Sequence, residues 1–518
     1  MSKVKFSRKE CIVTIELGTN AVRVFAFDLN GIVIGSTRGA YPTFHPKPDY
    51  SEQDPEQLFI TMLYVLKNFL NEKIHAENYE VLSICFSASM HSVLAVDKSG
   101  VPLGNAIIWA DNRGKKEAAE LKNSVYGKDI YNSTGTPVHP MSPLIKITWM
   151  KNNDKDRFKK AHKLLSIKSY IIQQLTGQYV IDHSLASATG LFNIHDLQWD
   201  SNALAYAGIT AAKLPELVSV FDVSCKLGKE YQVLFGLGAH TKIIVGSSDG
   251  CMATIGAGVW GAGKATITIE DSGAMRIMGK EILQDDQQRF FNYVLTDGHY
   301  VSGGPTNNGG VIFEWFAKQF GDFNNAFDIE NSMDELMKEA SKVATGSDGL
   351  LVLPYLLGER APIWNANARG VYFGLNINHE KKHFVRATIE GILYEMYSIG
   401  KTLEEHRSIK SLSVNGSFAT IPFCAQMIAD IFNKPVGIGK NTNSVGLGGF
   451  LLGATEMGVY KNLDEAAKSV KFEGTFKPRK QNHAIYKDYS EVFDKLSTKF
   501  NAEFEAIANL QQKTATLE

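Results

Sequence analysis

Two similar segments of the sequence contain residues that could bind a nucleoside triphosphate. The first reads Thr14-Ile-Glu-Leu-Gly-Thr-Asn-Ala-Val-Arg23, and a partial copy, Thr268-Ile-Glu-Asp-Ser-Gly-Ala-Met-Arg276, occurs in the second half of the chain. Each pattern is typical of a hairpin, with an apolar strand, a tight turn of small residues and a second strand. Exposed turn amides can hold phosphate oxygens, and an acidic side chain on the first strand can reach a hydrated Mg²⁺. We therefore predict two phosphate-binding hairpins, although either one alone fits an ordinary surface hairpin as well.

A carboxylate follows another apolar strand, where Lys242-Ile-Ile-Val-Gly246 runs into Ser247-Ser-Asp-Gly250. Phosphorylation of an alcohol requires a group that accepts the hydroxyl proton as the oxygen attacks the γ-phosphoryl group. Asp249 has this chemistry, and Gly250 leaves space around it. A turn-forming Asp-Gly pair is the alternative. We predict that Asp249 is the general base.

A further group of residues suits a polyhydroxy substrate. Trp109-Ala-Asp-Asn-Arg113 combines an aromatic platform, a carboxylate that can accept from hydroxyls and a guanidinium that can pair with a carboxylate or a phosphate. Met90-His91 follows a predicted strand and places an imidazole after it. The alternatives are a helix N-cap with a salt bridge for Asp111 and Arg113, and a satisfied core or surface histidine for His91.

Composition and charge exclude several other classes of protein. Lys and Arg number 54 against 55 Asp and Glu, which gives no general attraction to nucleic acid or anionic lipid. The apolar stretches are broken by charged residues and glycine, and five scattered cysteines indicate neither a disulfide framework nor a zinc site. We expect a cytoplasmic protein that binds small molecules and a nucleotide, without membrane or nucleic acid partners. The oligomeric state stays open, with a homodimer as one alternative.

Strand and helix patterns alternate along 518 residues, which is too long a chain for one hydrophobic core. Strands are predicted at 11–17, 21–28, 32–37, 81–86, 242–246 and 411–415. Helices are predicted at 54–73, 114–126, 142–153, 166–175, 380–405 and 421–432, with a final one after Val445. A glycine-rich turn at 303–310 opens another helix. Because the pattern recurs, we predict two α/β domains, at residues 1–247 and 248–518.

Several segments together resemble the FGGY carbohydrate kinases, within the actin-like ATPase superfamily, from residue 11 to about residue 475. They are Met90-His91, Trp109 to Arg113, Ser247 to Gly250, the Gly303-Gly304 and Asn308-Gly-Gly310 turn, and Gly358-Glu-Arg-Ala-Pro-Ile-Trp-Asn365 continuing to Gly374. Within the family, His139-Pro-Met-Ser-Pro143 and the Gly358 to Gly374 block most resemble gluconate kinases, and xylulokinase is the nearest alternative. The resemblance implies two actin-like, ribonuclease H-like α/β domains with an interdomain cleft. It also implies ATP- and Mg²⁺-dependent phosphorylation of a terminal hydroxyl of a sugar acid, with conversion of gluconate to 6-phosphogluconate as the expected reaction.

The same resemblance implies roles for individual residues. Asp249 matches the family's catalytic base and, with Glu16, would bind Mg²⁺. The expected substrate residues are Met90, His91, Trp109, Asp111, Arg113 and His139. The expected nucleotide residues are Gly18, Thr19, Asn20, Arg23, Ser272, Gly273, Asn308, Gly309, Gly310, Gly416, Ser417 and Phe418. Gly446-Leu-Gly-Gly449 is expected on the adenine side, with tight helix packing as the alternative for Gly448 and Gly449.

The sequence departs from the family pattern at three places. Glu16 stands where Asp is usual, Glu270 and Asp271 replace Gly and Thr in the second hairpin, and Asn415 and Ser417 interrupt an expected run of glycines. Two carboxylates beside a polyphosphate would repel it. A catalytically weak sugar-binding regulatory relative is therefore the alternative to an active kinase.

Overall fold

The computed structural model describes residues 9–320, 335–440 and 443–515. The chain divides into two compact units, and it passes between them more than once. The first unit consists of the described parts of Met1–Trp260, Gly279–Val301 and Asn443–Val470, and the second of those of Gly261–Met278, Ser302–Thr442 and Lys471–Glu518. The boundary at residues 247/248 stays a prediction of domain organisation.

A five-stranded sheet forms the centre of the first unit, in the order Lys242–Ser248, Tyr79–Ala88, Lys9–Leu17, Ala21–Asp28 and Val33–Ala40. The first three of these strands are parallel to one another, and the last two pairings are antiparallel. The register places Leu17 opposite Ala88, and Ala88 opposite Ser248. The carboxyl ends of the three parallel strands therefore meet at one edge of the sheet.

Helices cover both faces of this sheet. Alternate residues of the central strand point to opposite sides, so each face has apolar side chains on which a helix can pack. Val13 and Ile15 pack in the same core cluster as residues of helix Pro55–Phe69, which begins at an Asp54 N-cap. On the other face lies helix Ser444–Glu456. A Cβ added to Gly449 would lie 2.3 Å from Thr14 Cγ2, and one added to Gly448 would lie 2.0 Å from the Met252 carbonyl oxygen. Close packing of the helix thus accounts for both glycines.

The second unit contains the second hairpin, whose strands Gly263–Ile269 and Gly273–Gly279 pair antiparallel. Strand Gly263–Ile269 also pairs in parallel with Ile409–Asn415, which pairs in parallel with Val436–Gly439. Strand Val436–Gly439 then pairs antiparallel with Phe472–Phe476. The long helix Lys381–Glu404 is mostly buried and packs against helix Pro422–Phe432. Strands Leu351–Leu353 and Val371–Phe373 form a separate antiparallel pair.

The remaining elements complete the two units. The further strands are Glu52–Gln53, Leu94–Val96, Ala106–Ile107, Lys163–Leu165, Val180–Asp182, Phe192–Asn193, Gln198–Trp199, Glu216–Val218, Phe291–Thr296 and His299–Thr306. The further helices are Lys115–Lys122, Tyr126–Thr134, Pro143–Asn153, Lys155–Lys160, Ile167–Thr176, His183–Ser187, Ser201–Ala207, Lys229–Phe235, Asp249–Gly256, Gly310–Phe320, Leu463–Lys468, Lys480–Lys499 and Asn501–Ala515. Residues 335–341 are helical, Leu70–His75 forms a π-helical extension of the helix before it, and Ala211–Lys213 and Ser347–Gly349 form 3₁₀ turns.

Two predicted helices differ from the structure. The helix predicted at 114–126 is two helices, because the Ser124 hydroxyl donates to the Leu121 carbonyl and accepts from the Tyr126 amide. These bonds end one helix and begin the next. The helix after Val445 is not the last, since Leu463–Lys468, Lys480–Lys499 and Asn501–Ala515 follow it. Within the described ranges, no helix is long and apolar enough to cross a membrane.

Candidate active site

Two carboxylates lie at the carboxyl edge of the sheet in the first unit. Glu16 is the last residue but one of its strand, and Asp249 directly follows strand Lys242–Ser248 as the first residue of helix Asp249–Gly256. Ser248 is the N-cap of this helix and accepts from the Cys251 amide. Asp249 is half-buried, whereas Ser248 before it is fully buried. The sheet therefore presents the Asp249 side chain at its edge.

The backbone before Asp249 has an unusual shape. Its strand shifts register against Tyr79–Ala88 between Ile244 and Ser247. Gly246 has φ +74°, and a Cβ there would lie 1.8 Å from the Phe86 carbonyl oxygen. Only glycine fits such a close approach of two backbones. The path of the chain into Asp249 is thus determined by the fold.

Glu16 lies in an environment that disfavours its charge. Burial raises its pKa above the usual value, the Arg23 guanidinium lowers it, and the charge of Asp249 raises it again. Arg23 donates from Nη1 to Glu16 Oε1 over 3.0 Å. The Asn443 side chain also lowers the pKa through a hydrogen bond. The second oxygen, Oε2, is buried and makes no close hydrogen bond to a described residue, so it is the oxygen that suits a cation.

The donor set fits a hydrated Mg²⁺. Mg²⁺ keeps several waters and is usually bound through one or two carboxylates together with substrate phosphates. Glu16 and Asp249 can supply those two carboxylates. No cluster of three or more His, Cys, Asp or Glu side chains suited to a metal occurs in the described part of the chain.

His91 lies close to this edge, three residues beyond Ala88. Its ring is buried, with Nδ1 donating to the Ala188 carbonyl at 2.8 Å and Nε2 lying 3.3 Å from the Tyr293 hydroxyl. Its φ of +70° is uncommon for a residue with a side chain. The ring is therefore held in one orientation. This fits a histidine that binds substrate, and it equally fits a buried histidine whose hydrogen bonds are satisfied within the protein. Met90 beside it is half-buried.

A buried lysine connects His91 to the segment that contains His139. Lys146 donates from Nζ to the His91 carbonyl at 2.6 Å and to the Met141 carbonyl at 2.7 Å. The Met141 amide in turn donates to His139 Nδ1. Burial lowers the pKa of Lys146 to about 7, Asp111 opposes this shift and Arg113 adds to it. Lys146 thus connects two predicted substrate segments.

Arg113 is enclosed by acidic and aromatic side chains. Its guanidinium donates to both carboxylate oxygens of Asp111 and to Glu52 Oε1 at 2.6 Å. Its centre lies 3.8 Å from the Tyr50 ring centroid and 5.0 Å from that of Trp149. Two carboxylates therefore offset its charge, which favours the salt-bridge alternative over recognition of a substrate carboxylate.

The first hairpin turn is fixed by its neighbours. The Gly18 amide donates to the Ala21 carbonyl at 3.0 Å, and Trp109 Nε1 donates to the Thr19 hydroxyl at 2.8 Å. A Cβ on Gly18 would lie 3.1 Å from Arg23 Nη1. Asn20 is exposed. The structure thus brings the predicted phosphate turn into contact with Trp109, one of the predicted substrate residues.

The second hairpin turn gathers the predicted nucleotide residues of the second unit. The amides of Gly310 and Val311 donate to the carbonyls of Glu270 and Asp271. Ser417 Oγ donates to Glu270 Oε2 at 2.8 Å. Both acidic residues are exposed. The carbonyls of the hairpin turn therefore accept hydrogen bonds from the start of helix Gly310–Phe320. Of the two carboxylates in the hairpin turn, that of Glu270 accepts a hydrogen bond from Ser417.

Close backbone approaches explain the glycines around this turn. A Cβ on Gly309 would lie 2.5 Å from the Ser272 carbonyl carbon, next to Gly273. Gly416 has φ +89°, and a Cβ there would lie 2.3 Å from the Ile269 carbonyl oxygen. The Phe418 amide donates to that same oxygen. Segments 272–273, 308–310 and 416–418 are thus adjacent.

Asn308 is a structural residue within this group. It is buried, and its Nδ2 donates to the Gly358 carbonyl and to Glu359 Oε2, while its Oδ1 accepts from the Leu357 amide. Glu359 also accepts from the Thr306 hydroxyl at 2.6 Å. These bonds connect the glycine-rich turn to the segment that begins at Gly358.

Comparison with known proteins identifies the class to which these units belong. Residues 11–256 match the N-terminal domain, and residues 265–457 the C-terminal domain, of the FGGY family of carbohydrate kinases. The chain belongs to this family. Its resemblance to FGGY kinases and its predicted two-domain α/β fold are both confirmed, and the family implies ATP as a substrate.

Three relatives are similar over nearly the whole chain. A gluconokinase from Bacillus subtilis (strain 168) is 36% identical over 511 residues, which cover 97% of this chain and 98% of that protein. A crystal structure of gluconate kinase from Lactobacillus acidophilus has a TM-score of 0.91 and 31% identity, covering 96% of this chain and 100% of that one. A ligand-bound xylulose kinase from the same organism gives the same four values.

Two residues near these sites were not predicted from the sequence. Lys146 and Lys168 both lie in helices whose neighbouring residues are largely apolar, and both are fully buried. A lysine inside an apolar run is the signal that could have indicated them, because an unpaired charge is rarely buried.

Proposed function

We propose that this protein is an ATP-dependent sugar-acid kinase that phosphorylates the terminal hydroxyl of gluconate to give 6-phosphogluconate. The observation that carries the proposal is 36% identity to a gluconokinase over 97% of the chain. The cluster of Asp249 and Glu16 at the sheet edge supports it, since it supplies both a base and a cation site. A cytoplasmic location is part of the proposal.

In the proposed reaction, Asp249 accepts the proton of the substrate hydroxyl. The hydroxyl oxygen forms a bond to the γ-phosphorus while the bond between that phosphorus and its bridging oxygen breaks, so that ADP leaves. A carboxylate at the edge of the sheet, on a helix capped by Ser248, is suited to a proton transfer that needs hydrogen-bond contact. Glu16 and Asp249 would hold a hydrated Mg²⁺, which would offset the phosphate charge.

For the sugar acid, we propose contacts from Met90, His91, Trp109 and His139. Arg113 is assigned to holding Asp111 and the loop around it, because its guanidinium is already paired with two carboxylates. Lys146 is hydrogen-bonded to carbonyl oxygens instead of carboxylates. We therefore propose that a substrate carboxylate offsets the charge of Lys146, which lies behind His91 and the His139 segment.

For the nucleotide, we propose contacts from two groups of residues. The first hairpin contributes Gly18, Thr19, Asn20 and Arg23. The adjacent segments 272–273, 308–310 and 416–418 contribute turn backbone and small side chains, and the buried Phe418 ring supports the last of these turns by packing against Phe313. The glycines leave room for phosphate oxygens to approach the turn backbone, because they have no side chain there.

Release of ADP with a panel of acceptors tests the proposal. Purified protein is assayed with MgATP and gluconate, xylulose, glycerol or no acceptor, and the product is identified by mass spectrometry. We expect kcat/KM for gluconate to exceed that for xylulose by about 100-fold, since a cation left without its anionic partner disfavours the neutral sugar. Faster turnover of xylulose means that the xylulokinase alternative is correct. Gluconate binding by calorimetry without any ADP release means that the protein is a binding relative.

A further inference from the structure

A buried ion pair lies beside the strand that leads to Asp249. Lys168 Nζ is 2.7 Å from Asp182 Oδ2, and the two side chains are 1% and 0% exposed. Transfer of two charges out of water is costly, and apolar residues of similar volume often stabilise a fold equally well. Stability alone is therefore a weak explanation for this pair. Its remaining contacts indicate a more specific role.

Lys168 contacts the backbone two residues before the proposed base. Its Nζ donates to the Ser247 carbonyl oxygen at 3.1 Å. Ser247 lies where the strand shifts register, immediately after Gly246 with its positive φ. A strand that leaves its regular ladder needs other hydrogen-bond partners for its buried groups. Lys168 supplies a charged donor at this point of the chain.

Asp182 reaches the next residue through a short helix. Its carboxylate is the N-cap of helix His183–Ser187 and accepts from the Leu185 amide at 3.0 Å. The helix places the Ser184 hydroxyl 2.8 Å from the Ser248 hydroxyl, and Ser184 Oγ also accepts from the Ser248 amide. The ion pair thus has two separate connections to residues 247 and 248.

We propose that Lys168 and Asp182 are positioning residues that fix the direction of the Asp249 carboxylate, an inference that rests on the proposed role of Asp249 as the base. They act through Ser247 and Ser248, which set where helix Asp249–Gly256 begins. A displacement of about 1 Å in a reacting group can cost about 100-fold in rate. The gain in rate from a rigid backbone before the base can therefore outweigh the stability lost by burying the ion pair.

The double variant Lys168→Met with Asp182→Asn tests this role. It removes both charges together, so that no unpaired charge stays buried, and the amide oxygen at position 182 can still cap the short helix. We expect kcat to fall by about 10- to 100-fold, while KM for gluconate and ATP changes by less than about 3-fold. Lys151→Met is the matched control, because Lys151 donates to the Tyr206 carbonyl in the same unit. The control should keep its kcat.

Asp249→Asn separates this inference from the proposed function. If Asp249 is the base and the ion pair acts through it, the double variant should cause no further loss of kcat in the Asp249→Asn background. Near-normal turnover of Asp249→Asn alone would instead contradict the assignment of the base. If Asp249→Asn is inactive while the double variant keeps wild-type kcat, the positioning role is wrong.

A milder variant keeps the inference testable if the double variant does not fold. Ser184→Ala removes only the hydroxyl that contacts Ser248, so the ion pair remains. We expect its kcat to fall by about 3- to 10-fold with little change in KM, in line with the loss of one hydrogen bond. Wild-type kcat for Ser184→Ala would overturn the inference.

Discussion

Arg23 donates from Nη1 to Glu16 Oε1 over 3.0 Å, across the two strands of the first hairpin. This bond satisfies one oxygen of Glu16, while Oε2 stays buried and makes no close hydrogen bond to a described residue. Burial and the charge of Asp249 both raise the pKa of Glu16. The carboxylate is thus kept in a position that costs stability, as is common where a group serves function.

The first prediction concerns Glu16→Gln. Since the folded-state pKa of Glu16 lies above the usual 4.5, the folded protein binds more protons than the unfolded chain between these two values. The unfolding free energy of the wild type relative to the variant should therefore fall as pH rises through that window. Above that window the variant should be the more stable protein, yet turn over at least about 10-fold more slowly because a cation ligand is lost.

Urea unfolding of both proteins between pH 4.5 and 7.5, with kcat measured over a range of Mg²⁺ concentrations, checks this prediction. Arg23→Gln serves as a comparison in the unfolding measurement alone: it leaves the carboxylate but removes the guanidinium that lowers the pKa of Glu16, so its stability should depend on pH more strongly. A stability difference that does not vary with pH, or a variant with wild-type kcat, would show that Glu16 is an ordinary structural residue.

The second prediction concerns Lys146→Met. The pKa of Lys146 is lowered from 10.5 to about 7, so the unfolded chain binds more protons between these values. The wild type should gain stability relative to the variant as pH rises from 7 to 9, by up to about 1.4 kcal/mol per pH unit. The other charged and titratable groups near this ammonium are the same in both proteins, so the difference between them reports on Lys146; these groups are Asp111, Arg113, His91 and His139.

The same lysine should affect substrate affinity. Below about pH 7 it is charged and should favour an anionic acceptor, so the wild-type KM for gluconate should rise above that pH while the KM for xylulose does not. In Lys146→Met the KM for gluconate should be at least about 10-fold higher and independent of pH over this range. Equal pH dependence for the two acceptors would contradict a role in recognising the carboxylate.

The third prediction concerns the acidic second hairpin. Glu270 and Asp271 are exposed, and Ser417 donates to Glu270, so solvent and this hydrogen bond reduce their repulsion of phosphate. Glu270→Gly with Asp271→Thr should tighten MgATP binding by about 2- to 5-fold at low salt, and the gain should disappear in about 0.5 M salt.

Calorimetric titration of MgATP at two salt concentrations measures this effect. Glu503→Thr removes an exposed carboxylate from helix Asn501–Ala515 in the same unit and should leave the affinity unchanged. Weaker binding by the double variant, or a gain that is independent of salt, would mean that the hairpin charges do not act on the phosphates.

Much of the fold could be predicted because local signals agree with it. Both hairpins have strands near the expected positions, Asp54 caps its helix, and Gly177 ends another in the left-handed conformation. The position of Asp249 at the end of a strand could be predicted from an apolar run that leads into Ser-Ser-Asp-Gly, while its role as the base stays a prediction. These features depend on residues that are neighbours in sequence.

Long-range partners could not be predicted from the sequence. Lys146 and Lys168 donate to carbonyls 55 and 79 residues away, and no local pattern encodes those distances. Arg113 was open to two interpretations, because a guanidinium near Asp111 fits a substrate site or a salt bridge equally well. Its second carboxylate, Glu52, lies 61 residues earlier in the chain and favours the salt bridge.

The most direct test of the account is the turnover of Asp249→Asn with MgATP and gluconate. The amide keeps the shape of the side chain but cannot accept the hydroxyl proton, so kcat should fall by about 1,000-fold. The calorimetric Kd for gluconate should stay within about 3-fold of the wild-type value, which excludes a misfolded site. A variant that releases ADP and forms phosphorylated gluconate at close to the wild-type rate would contradict the account.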